Sequence, residues 1–245
     1  MGLKESGLRG SLRNVSVRID AIPDSQGNNQ WNFAEGSGTT VADEIGDVTL
    51  EFNSLSWGSG EGVDDNYAIL DGSNDFANVG NDVFTSFITE PEGTFFFWHR
   101  VDQTNEFQSL VASDFTQSDT DIFFGIDGDN RYAIRLTINS DSEEIRQGDA
   151  SANEGDWVAV CLIVDPTEME LLIAEAPNFE LNSLGTSPTP SSSSGSWTND
   201  VGVGGRPVSS DLNFGGGLSY SFYDSDAREI SDLQNIIDAT DSLFD

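Results

Sequence analysis

Lysine is almost missing from this chain. Of 245 residues only Lys4 is one, and nine arginines complete the cations. Against them stand 27 Asp and 16 Glu, a formal net charge of −33. Nucleic-acid phosphates and anionic membrane surfaces are held by clustered Lys and Arg, so neither is an expected partner. Cysteine is confined to Cys161, which excludes an intrachain disulfide and a cysteine-based metal cluster. His99 is the one histidine, which excludes a multi-histidine metal site. No run approaches the roughly 18 apolar residues of a membrane-spanning helix, so membrane insertion is not expected. Residues 1–20 lack a continuous apolar stretch of about 7–15 residues, so no secretory signal is expected.

What is present suffices for a core. Leu, Ile, Val and Phe make up 63 residues. That is about a quarter of the chain, above the roughly 20% below which charged chains stay unfolded. Five Trp add large apolar surfaces. The reading is a folded, very acidic protein, of a length that one β-sandwich domain often uses. Its self-repulsion destabilises a compact state in dilute buffer and is tolerable where salt screens it. Scarce Lys with abundant Asp resembles proteins of extreme halophiles; an ordinary acidic protein is the alternative.

The charge is uneven. Residues 1–25 carry Lys4, Arg9, Arg13 and Arg18 against Glu5, Asp20 and Asp24, a net of +1, and the remaining 220 residues net −34. Val15, Val17 and Ile19 alternate as in a short strand, and Ile22–Ser25 turns. A basic arm on an acidic body suits docking to an acidic subunit; a frayed terminus is the other reading. The expected division is a docking arm over 1–25 and one sandwich over 26–245.

From Trp31 onward short β-type runs recur: 48–52, 67–70, 94–99, 122–126, 132–138, 157–164, 169–174 and 218–223. Gly128-Asp129-Asn130 between two of them signals a tight hairpin. Thr94–Trp98 is apolar without alternation, which suits a strand covered on both faces. Trp31, Trp98 and Trp157 are assigned to the core. Pro188–Trp197 reads as an exposed, mobile low-complexity loop. The tail predicts a helix capped by Asp226 with Glu229 three residues on. Ile230, Leu233, Ile236 and Ile237 follow as its apolar stripe.

These segments keep a recognisable order: Trp31-Asn-Phe33, Gly36–Asp43, Leu70-Asp-Gly-Ser-Asn-Asp75 to Val79, Gly93–Trp98, Gly155-Asp-Trp-Val-Ala-Val160, Val201–Gly205, Phe214–Gly217 and Tyr223–Ile230. The order resembles the laminin-G-like, concanavalin A-like jelly roll over about residues 31–237. The resemblance implies an all-β sandwich with a short C-terminal helix. It also implies an extracellular domain that binds rather than catalyses. The first 25 residues are similar to openings of tail-fibre-like proteins of haloarchaeal tailed viruses. Together these imply a non-enzymatic virion surface protein, a tail fibre, turret or other receptor-recognition component, that binds host envelope or S-layer glycans. A decoration protein without sugar binding and a host adhesin are the alternatives. Its partners would be other virion proteins and further copies of itself, as a trimer or pentamer.

Three chemistries fit residues of this kind: hydrolysis, calcium binding and sugar binding. Retaining glucanases of this fold set paired carboxylates about 5–5.5 Å apart, in a Glu-x-Asp-x-x-Glu strand motif. No such sextet occurs. The nearest acid clusters are Asp141–Glu144, read as a loop, and Glu168–Glu170, read as an exposed strand start. His99 reads as a structural strand-end residue and Cys161 as a small buried hydrophobe. Calcium, which many relatives bind, would need an acid near Ser219, and none stands there. Asp127 and Asp129 are explained by the hairpin, and Asp64-Asp65-Asn66 is another loop possibility; no cofactor is assigned and calcium stays the one candidate. For sugar, an aromatic ring with Asp or Asn nearby is the expected pattern. Trp57, Asp64, Asp65 and Trp197 are the candidates, with edge packing as the plainer role of each tryptophan.

Overall fold

The apolar runs fold as β-strands, sixteen of them in the computed structural model, which describes residues 29–62, 65–80, 87, 90–103, 106–113, 120–191, 200–207, 212–241 and 244. All pairings between them are antiparallel. One eight-stranded sheet runs in the order β14 (Asn182–Pro188), β13 (Glu168–Glu175), β12 (Trp157–Val164), β7 (Gly93–Val101), β16 (Gly215–Asp224), β5 (Asn66–Asp71) and β4 (Ser56–Ser59). Its eighth strand, β1 (Asn29–Trp31), pairs with β16. A six-stranded sheet runs β11 (Asp141–Gln147), β10 (Tyr132–Ile138), β9 (Asp121–Ile126), β8 (Gln108–Ser113), β15 (Val201–Val203) and β6 (Ala77–Gly80). The short pair β2 (Thr40–Val41) and β3 (Leu50–Glu51) stands apart. Helix α1 spans Ile230–Thr240. Among the described residues no helix is long and apolar enough to cross a membrane.

The main core lies between the two large sheets. Phe95, Phe97, Val158 and Val160 enter it from one side, and Phe124, Ile134, Leu136 and Ile145 from the other. Alternate residues of a strand face opposite ways, so Phe96, Trp98, Ala159 and Cys161 project to the outer face of the eight-stranded sheet. There they meet Leu233, Ile236, Ile237 and Phe244 in a second apolar cluster. The Trp98 indole donates to Thr240 Oγ1 at 2.8 Å, tying β7 to α1. This is why the run from Thr94 to Trp98 lacks alternation: both faces are covered. Among the described residues the outer face of the six-stranded sheet carries a small buried apolar cluster, Phe123, Ala133 and Leu212.

Several expectations need correction. Asp141–Glu144 is not a loop but the start of β11, an edge strand held by its full register against β10. Its exposed acids gave no apolar alternation to read. Asp226 does not cap α1. Glu229 holds the cap position without a side-chain bond, and Asp226 instead presents its carbonyl to Thr94 Oγ1 at 3.0 Å. Ile230 is 42% exposed and lies off the buried stripe. The expected strand at 48–52 shrinks to β3 plus a bridge at Phe52. The head of the low-complexity segment is ordered, since Pro188 ends β14 and Pro190 is buried; residues 192–199 lie outside the described residues, as do 1–28.

A candidate glycan-binding pocket

Register sets the outer face of the six-stranded sheet. One cross-strand row reads Phe123, Arg135, Glu144; the next reads Gly125, Ala133, Arg146. The β9–β10 turn then folds as predicted, with Asn130 N–H bonded to Asp127 O and Asn130 at φ +61°. Two glycines matter here. A β-carbon at Gly125 would overlap the Gln108 carbonyl, because β8 bulges toward β9 between Ser109 and Val111. At Gly128 it would stand 3.0 Å from the Phe107 ring, so the bare turn gives that ring its seat. Phe107 meets Phe123 edge-on at 6.1 Å and remains 46% exposed. Leu212 is fixed by its carbonyl, which accepts from both Ser109 N–H and Oγ.

The result is a cavity of about 220 Å³. Its apolar walls are Phe107, Phe123, Ala133 and Leu212, and its polar rim is Asp127, Arg135, Arg146 and Arg206. The guanidiniums of Arg135 and Arg146 are held by carboxylates. Arg135 Nε stands 3.4 Å from Asp121, and Arg146 stands 3.0 Å from Glu144 and 3.7 Å from Asp127. Arg131 bridges Asp127 and Asp129 at 2.9 and 2.7 Å. Burial resists ionisation of Asp127, but the Arg131 and Asp129 amides and the Arg131 guanidinium outweigh it and hold the carboxyl below its ordinary range. Burial pushes the Asp121 carboxyl up, against the pull of Arg135 and Thr137.

A second polar cluster lies on the other sheet. Arg100 rests on the rings of Tyr67 and Trp157 and binds Glu61 and Asp102. Glu61 also accepts from the Trp157 indole at 2.9 Å. The donors and acceptors of this cluster satisfy one another, and it clamps the loop at Glu61 to the sheet.

The predicted sugar residues fall elsewhere. Trp57 sits on the core side of β4, opposite Ala68. It is half-buried, and its indole N–H, the group a sugar hydroxyl would use, is donated to Gly38 O at 2.9 Å. Asp65 is exposed in the turn after β4, at φ +62°. Asp64, Trp197, Lys4, Arg9, Arg13 and Arg18 lie outside the described residues. The sequence reading missed Phe107, Phe123, Arg135, Arg146 and Arg206. The signal available for them was scarcity: few cations exist beyond residue 25, and two stand at outward positions of neighbouring strands.

The acid clusters offer no hydrolytic pair. Glu143 accepts from Ser187, Glu144 binds Arg146, and Glu168 is an exposed residue at the start of β13, as expected. His99 is fully buried between Tyr132 and Phe214. Burial lowers its pKa to about 4, keeping the imidazole neutral, and raises that of the Cys161 thiol; both side chains are sealed from any substrate at the surface. Among the described residues no three His, Cys, Asp or Glu side chains are grouped to hold a metal ion. Ser219 is a buried strand residue, and Asp127 and Asp129 are engaged by arginine, so these positions do not fit calcium.

Comparison with known proteins follows the fold. A family model described as Laminin_G_3, concanavalin A-like lectin/glucanases superfamily, matches residues 71–219. Domain 4 of AbnA, an extracellular GH43 arabinanase of Geobacillus stearothermophilus solved with arabinotriose, superposes with a TM-score of 0.63 at 13% identity, over 86% of this chain and 97% of that one. The CBM40 of Ruminococcus gnavus IT-sialidase bound to α2,3-sialyllactose gives 0.50 at 16%, over 64% and 86%. The binding domain of botulinum neurotoxin serotype D gives 0.59 at 15%, over 85% and 49%. At these identities the likeness is one of fold. No curated protein sequence matches the chain.

Proposed function

Because the chain belongs to the concanavalin A-like lectin/glucanase superfamily, we propose that it is a non-catalytic glycan-binding protein and that its ligand enters the pocket on the six-stranded sheet. The observation that carries this reading is the pocket itself: an exposed Phe ring above apolar walls, rimmed by charged hydrogen-bonding groups. A sugar presents an apolar ring face and a polar edge, which that pairing matches. The opposite sheet has its outer face taken by α1. Relatives of this fold solved with arabinotriose and with sialyllactose are consistent with the reading.

The finer reading is a surface component of a halophilic archaeal virus, a fibre, turret or attachment protein, present as several copies and reading host envelope or S-layer glycans. The −33 charge supports a saline medium, and the basic segment 1–25 supports docking to acidic neighbours. Particles purified from such a virus should contain the chain by mass spectrometry; its absence there, or its presence in uninfected-cell envelopes, would refute the virion assignment. Glycan binding is tested by screening the protein against an oligosaccharide array in molar salt. The wild type should bind a defined subset, and Phe107→Ala should lose at least about tenfold in affinity, the cost of one stacked ring. Failure to bind any glycan, or full retention by Phe107→Ala, would overturn the assignment.

A further inference from the structure

We infer that the group anchoring the ligand is an anion, a carboxylate or sulfate carried on the sugar. This rests on the glycan-binding reading above and narrows its ligand class.

The chain concentrates its scarce cations in one place. Six arginines lie beyond residue 25: Arg100, Arg131, Arg135, Arg146, Arg206 and Arg228. Three of them line one cavity, and a fourth, Arg131, is bound to the Asp127 that shares it. Among the described residues that line it, Arg135, Arg146 and Arg206 face one acid, Asp127, a net +2; with Arg131 and the flanking Asp121, Asp129 and Glu144 the neighbourhood is neutral, on a chain of net −33. Packing guanidiniums together is repulsive, and Asp121 and Glu144 beside the pocket offset it while aiming the side chains.

Hydrogen-bond chemistry then selects the ligand. Guanidinium only donates; it has no acceptor. A neutral sugar offers hydroxyls that must donate as well as accept, and among the described lining residues Asp127 is the one carboxylate to receive them, already bound to Arg131. A carboxylate or sulfate only accepts, so it matches an arginine-rich rim group for group. Placement agrees. Arg135 lies opposite Glu144, and Arg146 lies two residues further along the same strand. Such diagonal neighbours on one face stand roughly 7–8 Å apart at their backbones. Long arginine stems span that distance, so both forks can converge on one anion. The cavity, at about 220 Å³, is smaller than the roughly 300–1,000 Å³ of sites for larger ligands. One acidic ring is the fitting occupant, with any further sugars lying outside.

The test uses paired oligosaccharides, identical except that a hexose is replaced by its uronic acid, with sulfated and sialylated members alongside. Affinities are measured by calorimetry in molar salt. The wild type should bind the acidic member at least about tenfold more tightly, the scale of one charge-assisted contact. Arg146→Gln and Arg135→Gln should each bring the pair close to parity while their thermal unfolding stays cooperative. The uronate, sulfate and sialate arms identify which anion fits. Equal binding of both members would overturn the inference and leave glycan binding standing. Binding of neither member would remove both. An acidic preference that survives both arginine variants would overturn the assignment to this pocket.

Discussion

Acidification should weaken the fold through one residue, His99. In the unfolded chain a histidine takes up a proton below its ordinary value of 6.5; in the folded protein His99 resists it until about 4. Between those two values the unfolded state binds one more proton than the native state, so stability falls as pH falls across that window and no further below it. The gap is 2.5 pH units, from 6.5 to about 4. At about 1.4 kcal/mol per unit, the loss is about 3 kcal/mol. The cause is burial: the ring sits at 0% exposure between Tyr132 and Phe214. Tyr132, the titratable side chain facing it, has its own phenol pushed upward by burial and stays neutral throughout. Many carboxylates also titrate toward the acid end, so the wild-type curve alone is uninformative. Subtracting a His99→Leu variant removes their common contribution. Urea unfolding in molar salt at pH 7, 6, 5 and 4 would give the difference. The wild type should lose about 3 kcal/mol relative to the variant over that range. A pH-independent difference would refute the argument.

Other expectations follow from packing and charge. Asp224→Asn leaves the Arg228 guanidinium, now 2.5 Å from the carboxylate and 6% exposed, without its buried counter-charge; the loss should be about 3–5 kcal/mol by denaturant titration. Gly125→Ala forces a methyl against the Gln108 carbonyl. It should cost about 1–3 kcal/mol or more and disturb Phe107, so glycan affinity should fall with it. Dilution from molar salt to about 0.1 M lengthens the screening distance from about 3 to about 10 Å. On a chain of −33 the melting temperature should drop; an unchanged value would contradict the saline reading.

The central strands were legible because burial on two faces writes itself as unbroken apolar runs, as in β7 and β12. The turn at 128–130 was legible because its backbone needs Gly and Asn. The edge strands were not. β11 reads Asp-Ser-Glu-Glu-Ile-Arg-Gln, and only Ile145 points into the core; β14 is mostly Ser, Thr, Gly and Asn. Their pairing comes from a neighbour already in place. The helix was found by its stripe but mis-started, since Glu229 begins it without a capping side chain. The pocket was least legible. Its walls come from β9, β10 and β11, with Phe107, Arg206 and Leu212 brought in from distant segments, and only the register puts them together. Trp57 drew notice as an aromatic among glycines, yet its register opposite Ala68 turns it inward.

The most direct test of the central claim is a crystal structure of the protein with the tightest-binding oligosaccharide from the array. A sugar ring should lie against Phe107 and Phe123, with an acidic group between Arg135 and Arg146. A sugar bound at the Arg100–Trp157 cluster, or on the hairpin of Trp57 and Asp65, would contradict it.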